Sequence, residues 1–169
     1  TRHIRNAGAM RAVISTRGDD TAALVRQANE IPGMTGQNLA RVVSTQEPYR
    51  WQDNRPAYIN PNETPMDPTI WQYRGQKPSV VALDFGIKFN ILRLLSESGF
   101  EVIVLPGHTG AGAIQALQPD GIFLSNGPGD PEPCDYAIDA ARHFIAQKTP
   151  LFGICLGMQI LSLATGAKT

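Results

Sequence analysis

The chain has 169 residues, 42% of them apolar and 18% charged, with 15 Lys plus Arg balanced by 15 Asp plus Glu. That length carries one ordinary domain, or a small domain plus part of another, and the composition lies on the folded side of the boundary with disordered chains. The neutral balance gives no net field toward nucleic acid or an anionic membrane, no apolar run approaches the ~18 residues of a membrane helix, and Thr1 to Arg11 is too basic and polar for a signal peptide, so a cytoplasmic protein is expected.

In chain order, Asp20 offers an N-cap to a helix reaching Glu30, with Leu24, Val25 and Ala28 at helical spacing. Gly33 and Gly36 then interrupt the chain before a short helix around Leu39 to Val43. Between Ser44 and Pro78 fall six of the 13 prolines, among Asn, Asp and Thr, which predicts turns and short extended pieces. The character of the chain changes near Lys77. The reading is two domains: 1–76, the end of a smaller α+β domain with its linker, and 77–169, an α/β domain.

From Ser79 onward short apolar runs alternate with segments of helical period. Val80 to Leu83 reads as a buried strand, followed by a helix that carries Ile87, Ile91, Leu94 and Leu95 on one face and stops at Gly99. Val102 to Leu105 is a second strand, Ala111 to Leu117 a short helix, and Gly121 to Leu124 a third strand. Tyr136 to Gln147 is a helix with Ala137, Ala141, Phe144 and Ile145 inward, and Pro150 opens a fourth strand. Runs that are apolar throughout predict a parallel sheet with helices on both faces. Ligands of such sheets bind beyond the carboxyl ends of the strands, so chemistry is sought after Leu83, Leu124 and Ile154.

Only two cysteines occur, Cys134 and Cys155, which make no disulfide framework. Cys155 sits between the fourth strand and an amphipathic segment, with Gly153 and Gly157 two residues away on either side. A nucleophile elbow needs that spacing, because a sharp turn from strand to helix brings backbones too close for side chains. A thiol held there faces the positive end of the helix dipole, which favours thiolate, and the following N–H groups can stabilise an oxyanion. On G-x-C-x-G alone, a small apolar core residue in a strand-ending turn fits as well. Cys134, in a proline-rich loop without a helix N-terminus directly behind it, reads as a bystander thiol.

Gly153-Ile154-Cys155-Leu156-Gly157-Met158-Gln159 resembles the nucleophile motif of class I, triad-type glutamine amidotransferases. The resemblance implies a flavodoxin-like α/β fold and a cysteine that attacks the side-chain amide of L-glutamine, releases ammonia and leaves a thioester for water to cleave. It implies that Leu156, through its backbone, and Gln159 lie around the bound glutamine. Leu124-Ser-Asn-Gly-Pro-Gly-Asp-Pro131 resembles the family's glycine-rich loop, whose Gly127 and Gly129 would hold the substrate, the Gly129 N–H joining Leu156 in the oxyanion hole. Taken alone, Asn-Gly-Pro-Gly would make a plain turn in any protein.

Leu83 to Arg93, Asn126 to Ile138 and the front segments Thr1 to Arg5, Gly8 to Met10 and Leu39 to Thr45 are similar to the small, glutamine-hydrolysing subunits of carbamoyl phosphate synthetases. That likeness implies a large-subunit partner that makes carbamoyl phosphate from bicarbonate and ATP for pyrimidine and arginine synthesis. ATP and Mg are expected only in that partner, with no cofactor in this chain. The family completes its triad with a histidine and a glutamate well downstream of the cysteine. This chain ends at Thr169 before them and lacks an initiator Met, so a fragment is expected, inactive by itself for want of a base. His3, His108 and His143 lie outside the family's histidine motif and receive no role.

Other signals are set aside. Asp84-Phe85-Gly86 copies a kinase magnesium motif without its companions and reads as a strand-to-helix turn. Gly107 to Gly112 has the wrong spacing for a dinucleotide loop, and Gly166 to Thr169 lacks the upstream glycine of a phosphate loop. Trp51, Tyr58, Trp71 and Tyr73 are read as packing between the two domains, since neutral charge argues against nucleic acid. The alternatives left open are a glutaminase feeding another synthetase and a docking scaffold without catalysis.

Overall fold

The structure, a computed structural model, describes residues 8, 10–58 and 77–168. They belong to two compact units, Thr1–Thr35 and Gly36–Thr169. His3, Trp71 and Tyr73 lie outside the described residues.

In the first unit, helix α1 spans Thr21–Glu30, and the Asp20 carboxylate accepts from the Ala22 and Ala23 N–H groups at 3.2 Å each. An N-cap of this kind satisfies donors that the first turn leaves open. At the other end Arg11 donates to the Asn29 and Ile31 carbonyls, both at 2.9 Å, so a cation meets the carbonyl-rich terminus.

The second unit opens with α2, Leu39–Val43, then β1, Tyr49–Gln52, and β2, Arg55–Tyr58. There follow β3, Ser79–Asp84; α3, Phe89–Glu97; β4, Glu101–Pro106; α4, Ala111–Ala116; β5, Gly121–Leu124; α5, Asp135–Ala146; β6, Leu151–Gly153; and α6, Leu156–Ala164. The strands form one sheet in the order β2-β1-β4-β3-β5-β6. β4, β3, β5 and β6 are parallel, with Val81 opposite Ile103 on one side and Ile122 on the other. The hairpin β1–β2 adds to the free edge of β4 in antiparallel sense, pairing Tyr49 with Val104 and Arg50 with Ile103. The sheet is therefore mixed rather than wholly parallel. The second unit begins at Gly36, so Tyr49 to Tyr58 share this sheet with the strands after Lys77.

Alternation along each strand sends side chains to two cores. Val81, Leu83, Ile103, Leu105, Ile122 and Leu124 meet α4, α5 and α6 through Ile114, Ala137, Ala141, Phe144, Leu156 and Ile160. Val80, Ala82, Val102, Val104 and Phe123 face the other way, toward Leu92 of α3 and Tyr49 and Trp51 of β1. All six residues of β3 are buried, as a central parallel strand requires. Each fully buried Leu or Ile contributes about 1.5–3 kcal/mol relative to exposure, so the two cores dominate the unit's stability.

Two helix faces differ from expectation. On α3 the buried residue is Leu92, while Leu94 is 55% exposed. The rest of the expected stripe holds: Ile87, Ile91 and Leu95 pack against the core that Leu92 enters. On α5, Ile138 is buried and Ile145 lies at the surface. Outside α6, β6 is only partly covered: Phe152, against Phe123, is 62% exposed.

β3 is followed by β4 on one side and β5 on the other. The chain thus reverses direction of travel across the sheet at β3, and the crevice beyond the carboxyl ends of β3 and β5 is where doubly wound sheets bind ligands.

Candidate active site

β6 ends at Gly153 and α6 begins at Leu156, leaving only Ile154 and Cys155 to reverse the chain. The Ile154 N–H donates to the Leu124 carbonyl at 3.1 Å, which ties the turn to β5. The Gly157 N–H is shared between the Ile154 carbonyl at 3.0 Å and the Ser125 carbonyl at 3.1 Å, and Gln159 N–H donates to the Cys155 carbonyl at 3.1 Å. These bonds hold Cys155 at φ 53°, ψ −111°, a left-handed conformation that a side-chain-bearing residue adopts only under constraint.

The flanking glycines supply that constraint. A Cβ on Gly157 would fall onto the Leu124 carbonyl oxygen and 2.6 Å from its carbon. A Cβ on Gly153 would come within 2.5 Å of the Gly157 carbonyl carbon and 2.7 Å of the Met158 nitrogen. The first turn of α6 is thus pressed onto β5 and β6 at a distance only glycine permits. The consequence is an exposed Cys155 thiol at the N-terminus of α6.

The loop after β5 is fastened from beneath. Ser125 is fully buried; its hydroxyl accepts from the Phe85 N–H at 2.9 Å and donates to the Asn126 carbonyl at 2.8 Å. Asn126 donates to the Gly86 carbonyl at 2.9 Å and accepts from the Lys88 N–H at 3.1 Å, joining the loops after β5 and β3. Gly127 lies between these loops and the elbow. A Cβ there would strike the Phe85 carbonyl oxygen and come within 2.9 Å of the Leu156 side chain. Gly127 and Leu156 therefore adjoin, and Leu156 and Gln159 follow Cys155 on α6. Gly129, at φ 95°, approaches a different neighbour: Leu39 and Gln37, at the start of α2. Among the described residues, the backbone N–H groups of Leu156 and Gly129 have no hydrogen-bond acceptor.

Asp84 is buried, with its carboxylate accepting from the N–H groups of Gly86, Ile87 and Thr45 at 2.8 Å each. Three such bonds satisfy a buried carboxylate, and Asp84-Phe85-Gly86 is a turn, not a cation site. Sequence reasoning did not single out Ser125 and Asn126. Their available signal was two polar residues directly after an apolar strand, where buried polar groups must serve a neighbouring loop.

Cys134 corrects the sequence reading. It stands directly before α5 as its N-cap residue, so a helix N-terminus does lie behind it. Its thiol is buried, 3.8 Å from both Asn38 Oδ1 and the Asp130 carbonyl, and burial pushes it above its ordinary value while a bond with Tyr136 opposes the rise. His143 is held on α5 with its Nε2 3.0 Å from Gln115 Oε1, and His108 is exposed after β4. Among the described residues, no cluster of His, Cys, Asp and Glu is arranged to hold a metal ion. No described helix is long and apolar enough to cross a membrane.

A strained, exposed thiol between a strand and a helix, with a glycine loop beside it, is nucleophile geometry on an α/β sheet. Residues 81–169, more than half the chain, match the family model for glutamine amidotransferase class-I, and the chain belongs to that family. Among curated proteins it is similar to the carbamoyl phosphate synthase small chain of Polynucleobacter asymbioticus, 50% identical across the whole of this chain and 44% of that one. The small chains of Xanthomonas axonopodis pv. citri and Vibrio cholerae are 45% and 46% identical, again across all of this chain and 46% and 44% of theirs. The chain thus spans less than half the length of the curated relatives it matches. A solved structure from Thermoplasma acidophilum, whose description names GMP synthase, overlaps 56% of this chain and 48% of its own at TM-score 0.47 and 22% identity, too distant a likeness to argue from.

Proposed function

We propose that the protein hydrolyses glutamine at Cys155 and delivers the ammonia to a large subunit that makes carbamoyl phosphate from bicarbonate and ATP. The observation that carries this reading is the exposed Cys155 thiol at φ 53°, locked between two glycines at the N-terminus of α6.

In the proposed reaction the Cys155 sulfur attacks the side-chain carboxamide carbon of glutamine, forming a C–S bond. The carbonyl oxygen becomes an oxyanion, for which the unengaged N–H groups of Leu156 and Gly129 are donors. Collapse of this intermediate breaks the C–N bond, the nitrogen leaves as ammonia once protonated, and water then cleaves the thioester to glutamate. Gly127 and Gln159 are assigned to the glutamine pocket. The base is assigned to a histidine oriented by a glutamate, as the family resemblance implies. The partner follows from the relatives' name, small chain, which implies a larger counterpart. ATP and Mg are assigned to that counterpart, and the setting is the cytoplasm. Residues 1–76 are proposed to belong to the small subunit's own N-terminal domain and linker, and 77–169 to the amidotransferase domain.

The test is ammonia release from glutamine by the natural full-length protein, with and without a carbamoyl phosphate synthase large chain, ATP and bicarbonate. Acceleration by the large chain together with loss of release in Cys155→Ser is the expected result. Release that survives the substitution removes Cys155 as nucleophile, and release indifferent to the large chain points to another synthetase.

A further inference from the structure

The glycine-rich loop is held in place by a residue that belongs to neither the elbow nor the loop. α2 lies over the loops that follow three strands. Leu39 and Gln37 adjoin Gly129 after β5, where a Cβ on Gly129 would lie 3.1 Å from Leu39 Cβ and 3.2 Å from the Gln37 carbonyl oxygen. Val43 adjoins Gly86 after β3, and the Ser44 hydroxyl accepts from the Gly107 N–H after β4 at 2.9 Å.

One side chain fastens this segment to the stretch between Gly129 and α5. Asn38 Nδ2 donates to the Pro133 carbonyl at 2.9 Å, while Oδ1 accepts from the Arg41 N–H and the Tyr136 hydroxyl, both at 3.1 Å. The Cys134 thiol lies 3.8 Å from the same oxygen. A donor facing a carbonyl and an oxygen facing an N–H fix the orientation of the amide, so neither a hydroxyl nor a carboxylate reproduces the whole set. Gly36 adds a second fastening, donating its N–H to Asp130 Oδ2 at 2.8 Å.

We propose that Asn38 is a positioning residue for the glutamine pocket: it clamps the segment Asp130 to Tyr136 against α2, and so sets where Gly127 and Gly129 stand relative to Cys155. This rests on the functional reading above. Asn38 touches neither substrate nor nucleophile in that scheme. It acts through Pro133, Tyr136 and Cys134 on the downstream anchor of the loop, while Ser125 and Asn126 hold the upstream anchor. The prediction is specific: loosening the downstream anchor weakens glutamine binding without altering the elbow.

The experiment uses the natural full-length protein and its two thiols as reporters, with peptide mass spectrometry separating Cys134 from Cys155 after pulses of iodoacetamide. Glutamine is titrated to find the concentration that half-protects Cys155. In Asn38→Ala, loss of the hydrogen bonds is expected to raise that concentration about tenfold and to speed Cys134 labelling at least as much. Cys155 labelling without glutamine is expected to stay within about twofold, since the elbow's own bonds are intact. Asn38→Asp keeps the acceptor and loses the donor, and Tyr136→Phe removes a single hydroxyl, so both should show the same pattern at about threefold. These milder variants carry the test if Asn38→Ala does not fold.

Faster Cys134 labelling with an unchanged half-protecting concentration would reduce Asn38 to a purely structural contact and overturn the proposal. So would unchanged labelling of Cys134. Glutamine that fails to protect Cys155 in the unaltered protein would instead overturn the functional reading, and the positioning role with it; that arm involves no change at Asn38.

Discussion

Cys134 and Cys155 occupy the same place in two helices, each the residue before the first turn, of α5 and α6 respectively. Both sulfurs therefore stand near the positive end of a helix dipole. Their surroundings differ in every other way. Cys134 has ordinary backbone angles, φ −90° and ψ 42°, and follows a turn in which its N–H donates to the Pro131 carbonyl at 3.0 Å. Its side chain is enclosed by Asn38, Asp130 and Tyr136, and burial pushes the thiol above its ordinary value. Cys155 follows a strand with a single residue between, sits at φ 53°, and is open to solvent. A helix N-terminus alone does not expose a thiol. What distinguishes Cys155 is a backbone bent so that the side chain has nowhere to go but outward.

The comparison breaks most sharply by labelling. Cys155 is expected to alkylate about 10³-fold faster than Cys134 in the native protein, because the buried thiol must wait for a local opening costing ~4 kcal/mol. Pulsed iodoacetamide with peptide mapping measures both rates in one sample, and equal slow rates would remove the contrast and favour a scaffold.

Next in size is the glycine pair. Gly157→Ala forces a methyl group onto the Leu124 carbonyl and is expected to cost about 3 kcal/mol, lowering Tm by roughly 10 °C in thermal unfolding. Gly112→Ala, in α4 with open space around it, is the matched control and should not destabilise. Similar losses in both would mean that close approach is not what Gly157 provides.

A smaller effect tests the strain itself. Replacing Cys155 by Gly removes the side chain that resists φ 53°, so Cys155→Gly should be more stable than Cys155→Ala by about 1 kcal/mol, or ~3 °C in Tm. An alanine variant of equal or greater stability would show the elbow to be unstrained.

The smallest effect lies at the loop anchor near Cys134. The Gly36 N–H, and then the Glu132 N–H, hold the Asp130 carboxyl below its ordinary value of 3.8. Its folded-state value being depressed, the contribution is present above the ordinary carboxylate range and lost as pH falls through the lowered value. Asp130→Asn should therefore flatten the acid limb of a Tm-against-pH profile below about pH 4, and an unchanged limb would exclude this contact as a contributor.

Much of this arrangement was legible in the residues. Gly121 to Leu124 reads as a strand and is one, Asp20 reads as an N-cap and caps α1, and Leu39 to Val43 reads as a short helix and forms α2. Such features depend on neighbours a few positions away, through periodicity, turn chemistry and capping. The antiparallel hairpin β1–β2 was not legible, because its place beside β4 rests on pairing Tyr49 with Val104 across more than fifty residues. Nor was the outward place of Leu94 on α3, where Leu92 is buried beside the expected Ile91 and Leu95. Cys134 escaped because its loop is proline-rich, yet the helix begins one residue earlier than the pattern suggests.

The sequence by itself determined the alternation of strands and helices after Ser79, through periodicity, and marked the elbow around Cys155 by its flanking glycines, of which Gly153 makes room for the Gly157 backbone and Gly157 for Leu124 of β5. The tertiary structure alone decided which loops meet. It laid α2 over the ends of β3, β4 and β5, set Gly127 against Leu156, and buried one cysteine beneath Asn38 while leaving the other exposed. Those outcomes depend on burial and on contacts between residues far apart in the chain, from Gly127 with Leu156 to Gly36 with Asp130 and Asn38 with Pro133, which no local pattern of residues encodes.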